Sequence, residues 1–196
     1  MSNRRHRKSK LPSEPVEIRI ESLSHEARGV ARIDGKVAFV SGALTGERVI
    51  ATYVRRRSKL DELKTDSVLE RSPQRVKPRC AVVEQCGGCS LQHMNSLAQI
   101  EFKESVLLEQ MQHAAKIDPQ QIEILPRLQA KAYHYRRKAR LAVRIVAKKG
   151  GALVGFREKY SSFITNMNSC EVLVPEVGAL LQPLKELITG MKVSHS

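Results

Sequence analysis

The chain has 196 residues and 41% hydrophobic content, enough for a packed core in one domain or two small ones. Its 34 Lys and Arg outweigh 20 Asp and Glu, leaving a formal charge of +14 that makes a polyanion the first partner to expect. No apolar stretch approaches the roughly 18 residues that span a bilayer, and no apolar run follows the basic N-terminus, which argues against a membrane span and a secretion signal. The expected location is the cytoplasm, where four cysteines suit metal or redox chemistry better than structural disulfides.

Residues 1–13 carry Arg4, Arg5, Arg7, Lys8 and Lys10 with almost no apolar content. They read as a disordered basic arm that either binds nucleic acid by charge alone or simply solubilises the chain. A barrel unit is expected over 14–72. Val16, Ile18 and Ile20 alternate with Glu17, Arg19 and Glu21 in the period of a half-buried strand. Stretches 31–33 and 37–40 flank Asp34-Gly35-Lys36, and Asp-Gly suits the positive φ values of a tight hairpin. Gly42 and Gly46 break the chain before a strand at 49–54, and a charged hairpin at 55–64 leads into a last strand at 65–69. About five short strands in so few residues predict a small OB-like barrel, a scaffold often used on oligonucleotides. The run Arg55-Arg56-Arg57 is its candidate RNA contact.

Arg71 to Arg79 holds two prolines and four basic residues and reads as a linker. Residues 73–196 are expected to form an α+β domain, so the whole chain falls in the α+β class with β-structure prevailing. Asn95 can cap a helix carrying Leu97, Ile100, Leu107, Leu108, Met111 and Ala115, a stripe expected to be core. Strands are expected at 133–146, at 152–157 after the Gly150-Gly151 turn, and at 163–165. A final helix from Pro175 places Leu180, Leu181, Leu184, Leu187 and Ile188 along one face. Between Ile124 and Arg157 there are ten basic residues and no acidic one, densest at Arg136, Arg137, Lys138, Arg140 and Arg144. A face that meets only solvent normally mixes signs, so this strand is a second candidate RNA contact. Tyr133, Tyr135 and Phe156 can stack on unpaired bases or pack the core.

The densest chemistry is Cys80-x5-Cys86-Gly87-Gly88-Cys89, three thiols within ten residues, with two glycines that let the backbone curl. Glycine N–H groups beside sulfur ligands can also donate to them and offset thiolate charge. Cys170 is the only other cysteine, so four thiolates are complete only if the chain returns it to the loop. A three-plus-one split is common for iron-sulfur clusters, whereas zinc sites usually divide two and two. Two alternatives stay open: zinc, with His93 as a substitute fourth ligand, and a free Cys-x2-Cys redox pair.

With Arg79-Cys80, Cys86-Gly87-Gly88-Cys89, Leu91-Gln92-His93, Tyr135-Arg136-Arg137-Lys138-Ala139-Arg140-Leu141 and Gly155-Phe156-Arg157 in view, residues 14–196 resemble the bacterial 23S ribosomal RNA uracil-5-methyltransferases. That resemblance implies an N-terminal TRAM barrel, a central domain holding a 4Fe-4S cluster on Cys80, Cys86, Cys89 and Cys170, and 23S rRNA as partner. It makes Tyr135, Arg136, Arg137, Lys138, Arg140 and Arg157 candidate RNA contacts beside Arg55, Arg56 and Arg57. Glu171 stands where the family often has proline, and the spacer between Cys80 and Cys86 lacks a frequent aromatic residue. Family members finish with a Rossmann-like domain for S-adenosylmethionine, where a cysteine thiolate adds to C6 of uracil and C5 takes the methyl group. No glycine-rich turn follows a strand in a βαβ unit here, and committing all four cysteines to metal leaves no nucleophile. The expectation is an N-terminal part with no site for S-adenosylmethionine, inactive in methyl transfer alone and possessing a catalytic domain as its missing partner.

Overall fold

The computed structural model describes residues 11–191, so nearly all of the basic arm assigned to 1–13 lies outside the described residues. The chain divides into two compact units, Met1–Arg75 and Val76–Ser196.

The first unit contains β1 (Val16–Arg19), β2 (Ser22–Leu23), β3 (Gly29–Ile33), β4 (Lys36–Ser41), β5 (Arg48–Arg56) and β6 (Leu60–Glu70). Hydrogen bonds order them β1-β5-β6-β4-β3-β2, antiparallel throughout except for β4 against β6. β1 and β2 occupy opposite ends of that order, yet only Ile20 and Glu21 separate them. The Ile20 amide donates to the Glu47 carbonyl at 2.8 Å and the Glu21 amide to the Val30 carbonyl at 2.8 Å, so a single bent strand joins both ends of the sheet. Five runs of chain therefore make the OB-like architecture.

The alternation read from the sequence sets which face is inside. Ile18, Ile20, Ala31, Ala38, Val40, Val49, Ala51, Tyr53 and Leu63 form one buried cluster. At the β3–β4 turn Asp34 and Gly35 have φ of 51° and 79°, the pair of positive values that a two-residue hairpin requires. The charged hairpin expected at 55–64 is present, and most of it is strand. β5 runs to Arg56 and β6 starts at Leu60, because inward Asp61 and Leu63 keep the strand alternation going through the charges.

A buried ion pair finishes this unit. Glu47 is fully buried, accepts from the Leu44 amide at 2.8 Å and the Ser72 amide at 3.1 Å, and meets Arg75 Nε at 2.5 Å. A second Arg75 nitrogen reaches Glu47 at 2.7 Å and the Gly42 carbonyl at 2.7 Å, so the segment after β6 is tied to the loop before β5. Burial pushes the Glu47 carboxyl up, but the Arg75, Leu44 and Ser72 hydrogen bonds outweigh it and hold the group below its ordinary value. Glu47→Ala leaves Arg75 without its carboxylate and is expected to cost about 3–5 kcal/mol by chemical denaturation. Because the folded carboxyl titrates lower than the unfolded one, this stabilisation is complete above pH ~4.3 and fades as pH falls through the folded value. Acid titrations of wild type and Glu47→Gln should converge there.

The second unit contains α1 (Ser96–His113), β7 (Ala142–Val146), β8 (Gly151–Gly155), α2 (Pro175–Gly178) and α3 (Leu181–Gly190). Asn95 caps α1, its side-chain oxygen accepting from the Ala98 amide at 2.9 Å. The stripe expected to be core is not covered: only Ala98 of α1 is buried, while Leu97 and Leu107 are 60% and 57% exposed. What lies along this helix is a polar strap, with Arg127 paired to Glu104 at 2.5 Å and near Glu101 at 3.7 Å.

Residues 133–146 do not form one strand either. Only β7 is regular and pairs with β8, whereas His134 takes φ of 58° and interrupts the extended chain. The preceding backbone instead pairs with the segment after Cys170: His134 N to Glu171 O at 2.9 Å, Arg136 N to Val172 O at 2.8 Å, and Val174 N to Arg136 O at 3.0 Å. The third strand expected at 163–165 is reduced to short pairing, with Thr165 N donating to Phe156 O at 2.9 Å. The final helix is split into α2 and α3. Leu181 packs with Val154 and Met167, and Ile188 against them, but Leu180 and Leu187 point outward at 52% and 62% exposure. Thr189 docks α3 on β8, accepting from the Ala152 amide at 2.8 Å. Among the described residues no helix is long and apolar enough to cross a membrane.

Candidate functional site

The cysteine loop is built from tight turns and then fixed from one side. Val83 N donates to Cys80 O at 3.3 Å and Cys86 N to Val82 O at 2.8 Å, folding Cys80 to Cys86 into a compact coil. Residues 157–159 run antiparallel beside it: Gly87 N donates to Arg157 O at 2.9 Å, Lys159 N to Gln85 O at 2.9 Å, and Cys86 forms a bridge with Glu158. This approach explains the glycines differently from a freely curling backbone. A Cβ on Gly87 would sit 2.8 Å from the Arg157 carbonyl oxygen, and one on Gly88 would sit 2.9 Å from the Phe156 ring. Neither glycine has a positive φ; both are needed for close contact. Gly88 N also donates to Cys86 Sγ at 3.4 Å, as expected of an amide beside a sulfur ligand.

Cys170 reaches the same neighbourhood through the core, packed against the cluster of Val154, Met167 and Leu181 together with Val82 and Phe156. Burial pushes the Cys80 thiol up, a Val82 backbone hydrogen bond opposes this, and Cys86, Cys170 and Cys89 each push it further. Cys89 is likewise pushed up by burial, then opposed by a Gln92 hydrogen bond and raised by Cys170 and Cys86. None of the four thiols is in a disulfide. Among the described residues no three His, Cys, Asp or Glu side chains gather tightly enough to enclose a single metal ion. His93, the substitute ligand considered from the sequence, is buried.

One residue near this set carried no sequence signal. Lys159 has its ammonium lowered by burial and raised by Cys86, Cys89, Glu84 and Cys80. Its position follows from the 85–87 and 157–159 pairing, not from any spacing to a cysteine.

The candidate RNA contacts divide by what they already hold. In the first unit Arg55 and Arg57 lie 3.8 and 3.2 Å from Glu62, and Arg56 lies 3.7 Å from Asp61. Asp61 is buried and is also paired with Lys36 at 2.7 Å, so this corner retains surplus positive charge after internal pairing. In the second unit Arg136 is half-buried, with its guanidinium 5.2 Å from the Phe156 ring centroid and Nε donating to Lys138 O at 3.1 Å. Arg137, Lys138, Arg140 and Arg157 are exposed, and Tyr135 is 59% exposed. Tyr133 is covered by Arg79 at 4.8 Å, and Phe156 belongs to the core.

The TRAM domain family matches residues 12–52. The 23S rRNA (uracil(1939)-C(5))-methyltransferase RlmD of Alkalilimnicola ehrlichii is 48% identical over 187 residues, covering 95% of this chain and 42% of that protein. That of Thiobacillus denitrificans is 50% identical over 171 residues, covering 87% and 39%. The Pyrococcus abyssi tRNA (uracil-54, C5)-methyltransferase, solved with S-adenosyl-L-homocysteine, shares the fold at a TM-score of 0.57 and 24% identity over 88% of this chain and 36% of that one. The chain therefore carries a TRAM domain and is a homologue of the 23S rRNA uracil-C5-methyltransferases, spanning about two-fifths of the length of the curated relatives it matches.

The glycine contacts yield a direct test. Gly87→Ala must displace the Arg157 backbone and is expected to destabilise the second unit by about 1–3 kcal/mol, measured by thermal unfolding. Gly46→Ala, a position with open space and φ of 82°, should affect only the first unit.

Proposed function

We propose that this chain is the RNA-recognition part of a 23S rRNA uracil-5-methyltransferase, with a 4Fe-4S cluster held by Cys80, Cys86, Cys89 and Cys170. The observation that supports it is that Cys170 packs against the same core cluster as Val82 of the cysteine loop, in a chain homologous to those enzymes. The donor chemistry suits such a group: four cysteine thiols outside any disulfide, a glycine amide on one sulfur, and Lys159 on the segment paired with the cysteine loop. When bound, the cluster would supply cationic iron and a covalent tie between the cysteine loop and the segment carrying Cys170. With four protein ligands it offers no open position to substrate, so its role here is structural.

The chain's own residues then do the binding. Arg137, Lys138, Arg140 and Arg157 face solvent and contact phosphates; Arg136 braces them from its place over Phe156. Arg55, Arg56 and Arg57 add a second cationic site on the TRAM barrel, and Tyr135 is placed to stack on a base. Methyl transfer from S-adenosylmethionine is assigned to the portion of the relatives that this chain does not span, and the work takes place in the cytoplasm on 23S rRNA.

Two measurements test this. Anaerobic purification followed by iron, sulfide and zinc analysis should give about four iron and four sulfide per chain. Cys170→Ser should lower the iron sharply, and stoichiometric zinc without sulfide would overturn the cluster. For the surface, Arg137→Ala should weaken rRNA binding and reduce the slope of log affinity against log salt by about one counterion. Arg136→Ala should in addition lower thermal stability, because that side chain also covers Phe156. An unchanged salt slope for Arg137→Ala removes it from the interface.

A further inference from the structure

The turn between Glu158 and Phe163 was assigned no role from the sequence, and it is unusually well braced for a surface loop. Glu158 N donates to Phe163 O at 3.0 Å, Ser161 Oγ to the Glu158 carboxylate at 2.7 Å, and Phe163 N to Ser161 Oγ at 3.0 Å. Its base is pinned to the cysteine loop by the Lys159 to Gln85 backbone hydrogen bond. This frame holds the Phe163 ring 61% exposed, with Tyr160 also exposed at 39%. Exposed Arg157 lies against the turn, one guanidinium nitrogen donating to Ser162 O at 3.2 Å and the others available. The single acid in the turn, Glu158, is engaged inward by Ser161.

We propose that the 158–163 turn is a stacking platform for an unpaired RNA base, with Phe163 as the platform and Arg157 supplying charge beside it. A rigid ring costs little ordering entropy on binding, and an aromatic face accepts any base whose own face is free. Bases within a duplex have no free face, so the platform selects single-stranded or looped RNA. Positive charge from Arg157 favours a polyanion over an apolar protein surface. The proposal rests on the RNA-binding reading above and extends it to a residue outside the basic segment.

The test compares wild type, Phe163→Ala, Phe163→Trp and Arg157→Ala on two probes of equal length, an unstructured RNA carrying 2-aminopurine and a fully paired RNA duplex. Phe163→Ala should bind the unstructured RNA roughly 5- to 150-fold more weakly with an unchanged salt slope, lose the 2-aminopurine quenching, and bind the duplex as wild type does. Phe163→Trp should retain affinity and quenching. Arg157→Ala should reduce the salt slope on both probes. Equal affinity of wild type and Phe163→Ala for the unstructured RNA overturns this proposal alone, as does an equal loss on the duplex. If Phe163→Ala changes only the oligomeric state, the ring belongs to a protein contact and the proposal is overturned. Failure of the wild type to bind either RNA overturns the RNA-binding reading and this one together.

Discussion

The pairing of residues 157–159 with the cysteine loop is the constraint on which the second unit depends. Two backbone hydrogen bonds, at Gln85 and Gly87, bracket the Cys86–Glu158 bridge and fix the loop against a segment that continues directly from β8. That approach is close enough to exclude a Cβ at Gly87 and Gly88, so it selects glycine there by contact rather than by backbone conformation. From the same segment, Phe156 enters the core beside Cys170 while Arg157 faces outward. The cysteine loop, Phe156 and Arg157 are thus positioned by one short stretch of pairing.

The two units solve the problem of charge differently. In the TRAM unit the strongest ion pairs are internal: Glu47 with Arg75 and Asp61 with Lys36 hold the barrel together, and part of the arginine run is neutralised by Asp61 and Glu62. Such pairing lowers the surplus positive charge of this corner but fixes where it is presented. In the second unit the basic stretch has no acid in its own sequence; Arg127 pairs with Glu101 and Glu104 on α1, while Arg137, Lys138 and Arg140 are exposed. Arg136 is the exception, held over Phe156 where its charge and its stem both pack.

The uncovered side chains on α1 and α3 show that amphipathic spacing alone does not determine burial. The helix at α1 forms where Asn95 caps it, but Leu97 and Leu107 remain outside because the neighbouring strap presents Arg127 to Glu101 and Glu104. On α3 the decisive contacts come from one edge, through Leu181, Ile188 and Thr189, and the leucines a third of a turn away are left in solvent. A periodic apolar pattern states which residues can share a face; whether anything covers that face depends on chain elsewhere.

Short-range physics was legible in the sequence. Alternation placed the inner face of the TRAM strands, Asp34-Gly35 placed its hairpin, and Asn95 placed the start of α1, because each is decided within a few residues of chain. Long-range pairing was not. That β1 and β2 are one bent strand, that His134 breaks the basic strand so its flank can pair beyond Cys170, and that Lys159 lies among the thiols all depend on segments distant in sequence being brought together. The residues named the candidate ligands and the charges; only the tertiary backbone hydrogen bonds decided which segments meet, since loop closure rewards contacts that local propensity does not encode.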